Sequence, residues 1–284
     1  MEEKELFAKQ LQRLVKNRLS LVGVFIVALI VVAAALAPYI APYDPIAQDY
    51  DALLLPPSPQ HPMGTDDLGR DIFSRVVYGT RYALLIGVAV VALELVLGAF
   101  LGFIAGYFGK FLGSFIMRVV DMVLSIPTLV LALAIAGALG GGLLVLIIAI
   151  SVAGWGEFAR LVRGQVLYVK EFTYIEAARA IGARDWHIMF KHLVPNCLGP
   201  VIVYSTLYMP AAILWSAALS FLGLGAQPPT PEWGAIISDG RSFIASAWWI
   251  STFPGIAIMI TTLGFNFVGD GLRDALDPKF ERQL

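Results

Sequence analysis

One cysteine in 284 residues, Cys197, excludes a disulfide framework and a cluster of thiolate metal ligands. Histidine is almost as scarce. His61, His187 and His192 show no metal-ligand spacing, the last two lying five residues apart. No G-x-x-x-x-G-K-S/T loop occurs, so the chain lacks that cradle for nucleotide phosphates. Neither a G-x-S-x-G elbow nor an H-E-x-x-H helix is present, and no nucleophile–base pair suggests a catalytic residue. Net charge is −1, and no basic block points to nucleic acid. Charged residues are scarce too, at 14% against about 25% in soluble domains.

What fills the space is apolar. Hydrophobic residues make up 58% of the chain, and the mean hydropathy is +0.76. The chain reads as an all-α polytopic membrane protein with six transmembrane helices. A charged tail, residues 1–18, precedes an apolar run over residues 19–37, long enough for a bilayer core of about 30 Å. That run is too long for a signal-peptide core of about 7–15 residues, and Pro38 follows it, so it is expected to remain as the first span.

Residues 38–81 carry seven prolines before Asp66 and read as an extended outer segment. Asp66, Asp67, Arg70 and Asp71 admit a carboxylate metal site, but a capped interfacial helix leading into the next span is the preferred expectation. A permease core over residues 82–268 would hold the other five spans. The second covers about 82–105. The third covers about 115–139, is kinked at Pro127, and has Arg118 and Asp121 as an i,i+3 pair. Gly140, Gly141 and Gly142 turn the chain into a fourth span, residues 143 to about 158. The fifth spans about 196–218 and the sixth about 248–268, with an irregular Gly- and Pro-rich loop over 220–247 between them. Residues 269–284 form the last tail.

Gly98, Gly102 and Gly106 recur every four residues on one face of the second span, a pattern that lets membrane helices approach closely. Glu94 lies in the same span, where an ionisable group is expensive. It either lines a pathway or is paired or protonated inside the bundle.

The longest polar island of the second half is residues 171–195, EFTYIEAARAIGARDWHIMFKHLVP. Thr173 and Glu176 have capping-box spacing. Ala177, Ala178 and Ala180 favour helix, and Gly182 suits a left-handed helix end. Asp185 would cap a second short helix over 186–193, stopped at Pro195. Glu176-Ala177-Ala178 with Gly182 and Pro195 resembles the EAA loop of bacterial ABC importer permeases. His192 and Val194 stand where the general pattern has Ile and Leu, a departure similar to the peptide-importer branch. The GTDDLGRD stretch (64–71), the GAQPPTPEW loop (225–233) and the GDGLRDALDP tail (269–278) resemble that branch as well, in order along nearly the whole chain.

The resemblance implies a type I ABC importer permease fold and no cofactor. Thr173, Glu176, Ala177, Ala178, Gly182 and Asp185 would contact an ATPase subunit. The implied partners are a second homologous permease, two ATP-binding subunits, an extracytoplasmic solute-binding protein and a peptide substrate. Alternating access in the bacterial inner membrane would be the mechanism. Six spans starting in the cytosol put 16 of the 20 lysines and arginines on the inner side, leaving Arg70, Arg75, Arg81 and Arg241 outside. Both termini and the EAA loop are then cytoplasmic. A nickel-complex importer of the same branch, and an ion-driven transporter using Glu94 or Asp121, remain alternatives.

Overall fold

The structure is a computed structural model that describes residues 17–276; the start of the first expected tail and the end of the last lie outside them. Every regular element among those residues is helical, and the sole extended pairing is one isolated bridge between Thr65 and Asp71. Five helices are long and apolar enough to cross a membrane, and a bent pair makes a sixth crossing if counted as one.

The first is α1, Arg18–Ala35, capped by the Asn17 side chain, which accepts from Leu19 N–H. It stops two residues short of the expected end, and a single turn, α2 (Ala37–Ile40), follows with Pro38 in its first turn. Helix α3, Ile72–Phe108, starts ten residues before the expected span. Its 37 residues extend over roughly 55 Å, well past the hydrocarbon thickness. Asp71 is its N-cap: one carboxylate oxygen takes both the backbone N–H and the hydroxyl of Ser74, each at 2.7 Å. The other lies 3.0 Å from His61 Nδ1.

The outer segment is not extended. Arg70 donates to Asp66 (2.7 Å) and to Asp239 (3.2 Å), and buried Arg75 lies 3.7 Å from both carboxylates. These two arginines fasten residues 38–71 to helix α10 (Trp233–Gly240). The indoles of Trp233 and Trp249 donate to the carbonyls of Val76 and Thr65, both at 3.0 Å. Buried charges survive only when so paired, which accounts for the acids that had admitted a metal site. No group of metal-ligating side chains occurs among the described residues.

Pro127 breaks the third span outright. Helices α4 (Lys110–Leu124) and α5 (Thr128–Leu139) meet at 84°. The pair expected between Arg118 and Asp121 is not made; Asp121 takes Arg160 Nη2 at 2.8 Å instead, from the next helix. Gly140, Gly141 and Gly142 all hold positive φ, a turn only glycine makes at low cost. Helix α6, Leu143–Lys170, runs twelve residues beyond the expected end and packs along α3 over most of its length. A Cβ on Gly98 would sit 2.5 Å from Phe158 Cβ, one on Gly102 2.6 Å from Ala159 O, and one on Gly106 2.8 Å from Val166 Cβ. The glycine stripe is therefore the seam between α3 and α6. Helix α7 (Thr173–Ala180) and α8 (Asp185–Ile188) form the hairpin, and α9 is Val194–Phe221. The 220–247 loop is only partly irregular, since α10 and a short 3-10 turn, Arg241–Phe243, occupy its second half. The last span, α11 (Trp249–Leu276), lies against α1 and α9 and runs on into the expected tail.

Candidate functional site

The 173–188 hairpin sits where α6 ends, beside the last turn of α3. Its local chemistry differs from the sequence expectation in three places. Phe172, not Thr173, is the N-cap of α7 and contributes no side-chain bond, so Thr173 and Glu176 do not form a capping box. Arg184 is the N-cap of α8; Asp185 is its first helical residue. Pro195 does not stop the chain. A π turn, Met189–Leu193, lets Val194 N–H bond back to Met189 O. That shift leaves Pro195 in the first turn of α9, where its missing donor costs little. The helix then runs unbroken from Asp185 to Phe221. Gly182 holds φ +81, with its N–H on Arg179 O at 2.9 Å and Ala183 N–H on Ala178 O at 3.0 Å.

The hairpin has two faces. Ile175, Ala178, Ile188, Met189 and Leu193 are buried against Tyr107, Val162, Val166 and Val169. Thr173, Glu176, Ala177, Gly182 and Asp185 are exposed, and Ala178 is the one buried residue of the six candidates. Three large apolar residues absent from the sequence reading stand out at the tip: Ile181 at 85% exposed, Trp186 at 69% and Phe190 at 55%. The Trp186 and Phe190 rings touch, with centroids 4.5 Å apart. Large apolar groups on either side of a helix-ending glycine in a polar island were the signal available for them.

Tyr107 fastens the hairpin to the bundle. Its hydroxyl donates to the Asp185 carboxylate. Lys170 Nζ donates to its carbonyl at 2.8 Å. The Lys170 and Arg179 cations lie 5.6 and 5.8 Å from its ring centroid. One residue at the end of α3 thus touches α6, α7 and α8.

Glu94 is fully buried in the bundle core, and neither carboxylate oxygen has a hydrogen-bond partner. It is pressed against Gly154, where a Cβ would collide with it, and the nearby Tyr208 hydroxyl is also unpartnered. The Tyr208 ring continues to Tyr204 at 5.6 Å, and the Tyr204 hydroxyl donates to Glu157 at 2.5 Å. Glu157 was missed because the fourth span was ended near Phe158. Once α6 is known to reach Lys170, Glu157 lies fourteen residues into a span, roughly 21 Å from its start. It lines an open groove of about 610 Å³ with Leu124, Arg160, Leu161, Gly164, Gln165 and Tyr204.

Family comparison agrees with this architecture. The model for the binding-protein-dependent transport system inner membrane component matches residues 98–282, and that for the N-terminal transmembrane domain of oligopeptide transport permease C matches residues 6–57. The chain belongs to that inner membrane component family. Among its relatives is a dipeptide transport system permease protein of Escherichia coli K12, 47% identical over 273 residues, covering 94% of this chain and 91% of the relative. A probable D,D-dipeptide transport system permease protein of the same strain is 44% identical over 272 residues, covering 96% and 91%. A glutathione transport system permease protein of Pectobacterium atrosepticum is 42% identical over 271 residues, covering 95% and 90%. The family is a multi-pass membrane component of a transport system that works with a binding protein.

Proposed function

We propose that this chain is the permease subunit of an ATP-driven importer that passes dipeptides or oligopeptides inward by alternating access. The observation that carries the reading is the two-faced hairpin. A buried apolar face and the Tyr107 contacts lock it to α3 and α6, while Glu176, Ala177, Ile181, Trp186 and Phe190 are offered outward. An exposed aromatic and aliphatic tip on a rigid support is the composition of an interface anchor. An ATPase subunit is the partner it would meet, at the end of the bundle that charge counting puts in the cytosol with both termini.

The rest follows from counting. One hairpin serves one ATPase, so a pair of ATPases needs a second permease with its own hairpin. The pathway then runs between the two permeases, and the solute-binding protein docks at the 38–71 and 222–247 end. Peptide as cargo is supported by the relatives, whose names give D,D-dipeptide, glutathione and dipeptide transport. The test is uptake into vesicles with subunits omitted one at a time. Peptide accumulation should require ATP, this chain, a partner permease, both ATPases and the loaded binding protein. Accumulation driven by a proton or sodium gradient with every ATPase absent would overturn the reading.

A further inference from the structure

Glu157 is a carboxylate at membrane depth that faces open space. An ionisable group there is costly unless it serves a purpose or is paired. Among the described residues no lysine, arginine or histidine lies within ion-pair distance of it; the nearest cation along α6, Arg160, is taken by Asp121 at 2.8 Å. Its one hydrogen bond is from Tyr204, to Oε2. That bond holds the carboxylate against α9, and no hydrogen bond to Oε1 occurs among the described residues. The groove it lines adjoins a second one of about 470 Å³, with Leu161, Gln165 and Tyr204 common to both. The second runs along Pro200, Val203 and Leu207 to Arg273 on α11. The two adjoining grooves make one trough, with a carboxylate lining the first and a guanidinium lining the second. A primary amide that can both donate and accept lies between them, over apolar walls.

We infer that this trough is a substrate subsite on the translocation path, in which Glu157, positioned by Tyr204, binds the free α-ammonium of a passing peptide. This rests on the peptide-importer reading and adds the residue that recognises the cargo. The chemistry fits the backbone ends of a short peptide. Glu157 matches the ammonium, Arg273 is suited to the carboxylate, and Gln165 pairs with a peptide group in either sense. The walls of Leu161, Val203, Leu207 and Pro200 accept varied side chains without selecting among them. A helix of the partner permease filling the trough dry would bury Glu157 and Arg273 without compensation, which is strongly unfavourable. A wetted path with a zwitterionic cargo leaves both solvated or paired.

The experiment uses the complete importer in vesicles, with saturating loaded binding protein and radiolabelled dialanine, and glutathione as a second probe. Both carry a free amino group. Glu157→Gln is expected to lower uptake about tenfold or more, the fold-change of a lost charge-assisted contact. ATP hydrolysis by each variant complex without the binding protein is read in parallel, to report that the complex has assembled. Glu157→Lys should abolish uptake, and Glu157→Asp should restore a large part of it. Tyr204→Phe, which leaves the charge but frees it, should give an intermediate loss and serves if Glu157→Gln does not assemble. Wild-type uptake by both the Gln and Lys variants would overturn the inference. So would parallel loss of uptake and of this hydrolysis with no rescue by Asp, which marks a structural role. Failure of the unmodified complex to take up either probe with ATP would instead overturn the importer reading, and the subsite with it.

Discussion

The Tyr107 hydroxyl donates a hydrogen bond to the Asp185 carboxylate, joining the end of α3 to the start of α8 across 78 positions of sequence. The phenol is the donor and the Asp185 carboxylate the acceptor. The bond ties the hairpin directly to the long helix α3, and the Lys170 contact ties the end of α6 to the same residue.

Tyr107→Phe keeps the ring and its two cation contacts but removes the bond to Asp185. It is expected to cost about 1.5–3 kcal/mol, the range for a hydrogen bond to a charged group. The larger effect should be on coupling, with fewer peptides moved per ATP at matched permease levels. Asp185→Asn should do the same, and the double variant should be no worse than either single one. Additive losses in that cycle would show that the two residues act independently.

Gly182→Pro should uncouple transport. The position has φ +81, outside proline's fixed range, and its N–H bonds to Arg179 O. Gly182→Ala has open space for its methyl group, so it meets only the left-handed backbone penalty of roughly 1 kcal/mol. Uptake should fall steeply for the proline variant and mildly for alanine, with both chains present in the membrane at normal levels. Normal uptake by the proline variant would remove the hairpin from the coupling path.

Gly98→Leu should weaken the bundle itself. Even a Cβ there would stand 2.5 Å from Phe158 and 2.6 Å from the Trp155 carbonyl, so α3 and α6 must part. Overpacking of this kind costs about 1–3 kcal/mol. Gly255→Ala, with nothing within 4 Å of its new methyl group, should be neutral or slightly stabilising. Thermal unfolding in detergent separates the two, and equal melting temperatures would contradict the seam.

Glu232 sits 2% exposed in the loop before α10, where its carboxylate accepts from Ala235 N–H at 3.0 Å. Burial outweighs the helix-start hydrogen bonds and raises its pKa above the ordinary carboxylate value. The folded protein therefore holds this proton more tightly than the unfolded chain. The resulting stability is full below the ordinary carboxylate pKa and is lost as pH rises through the elevated one. Glu232→Gln keeps an acceptor for Ala235 and carries no charge. Its melting temperature should fall less between pH 5 and pH 8 than that of the wild type, and parallel curves would refute the assignment.

The apolar runs, the three-glycine turn at 140–142, the glycine stripe and the EAA resemblance were all legible, because each depends on residues near one another in sequence. Hydropathy sums locally, so the spans could be counted. Their ends could not be placed as well: the early turns of α3 pack against α10 and α11, and the late turns of α6 against Tyr107 and the hairpin, contacts that no local pattern reveals. Pairing was beyond local inference. Asp121 had Arg118 one turn away, yet the chain break at Pro127 and the approach of α6 gave it Arg160. Asp185 looked like a cap until Tyr107 took its carboxylate. Glu94 drew attention as the acid in the middle of an apolar run, but the fold buries it and turns Glu157, at a misjudged span end, towards the open groove. Composition and periodicity determined that this chain crosses a membrane on helices and carries a polar hairpin between two of them. Which charges meet, and which one is left facing the groove, was decided by helices approaching side by side from distant parts of the sequence.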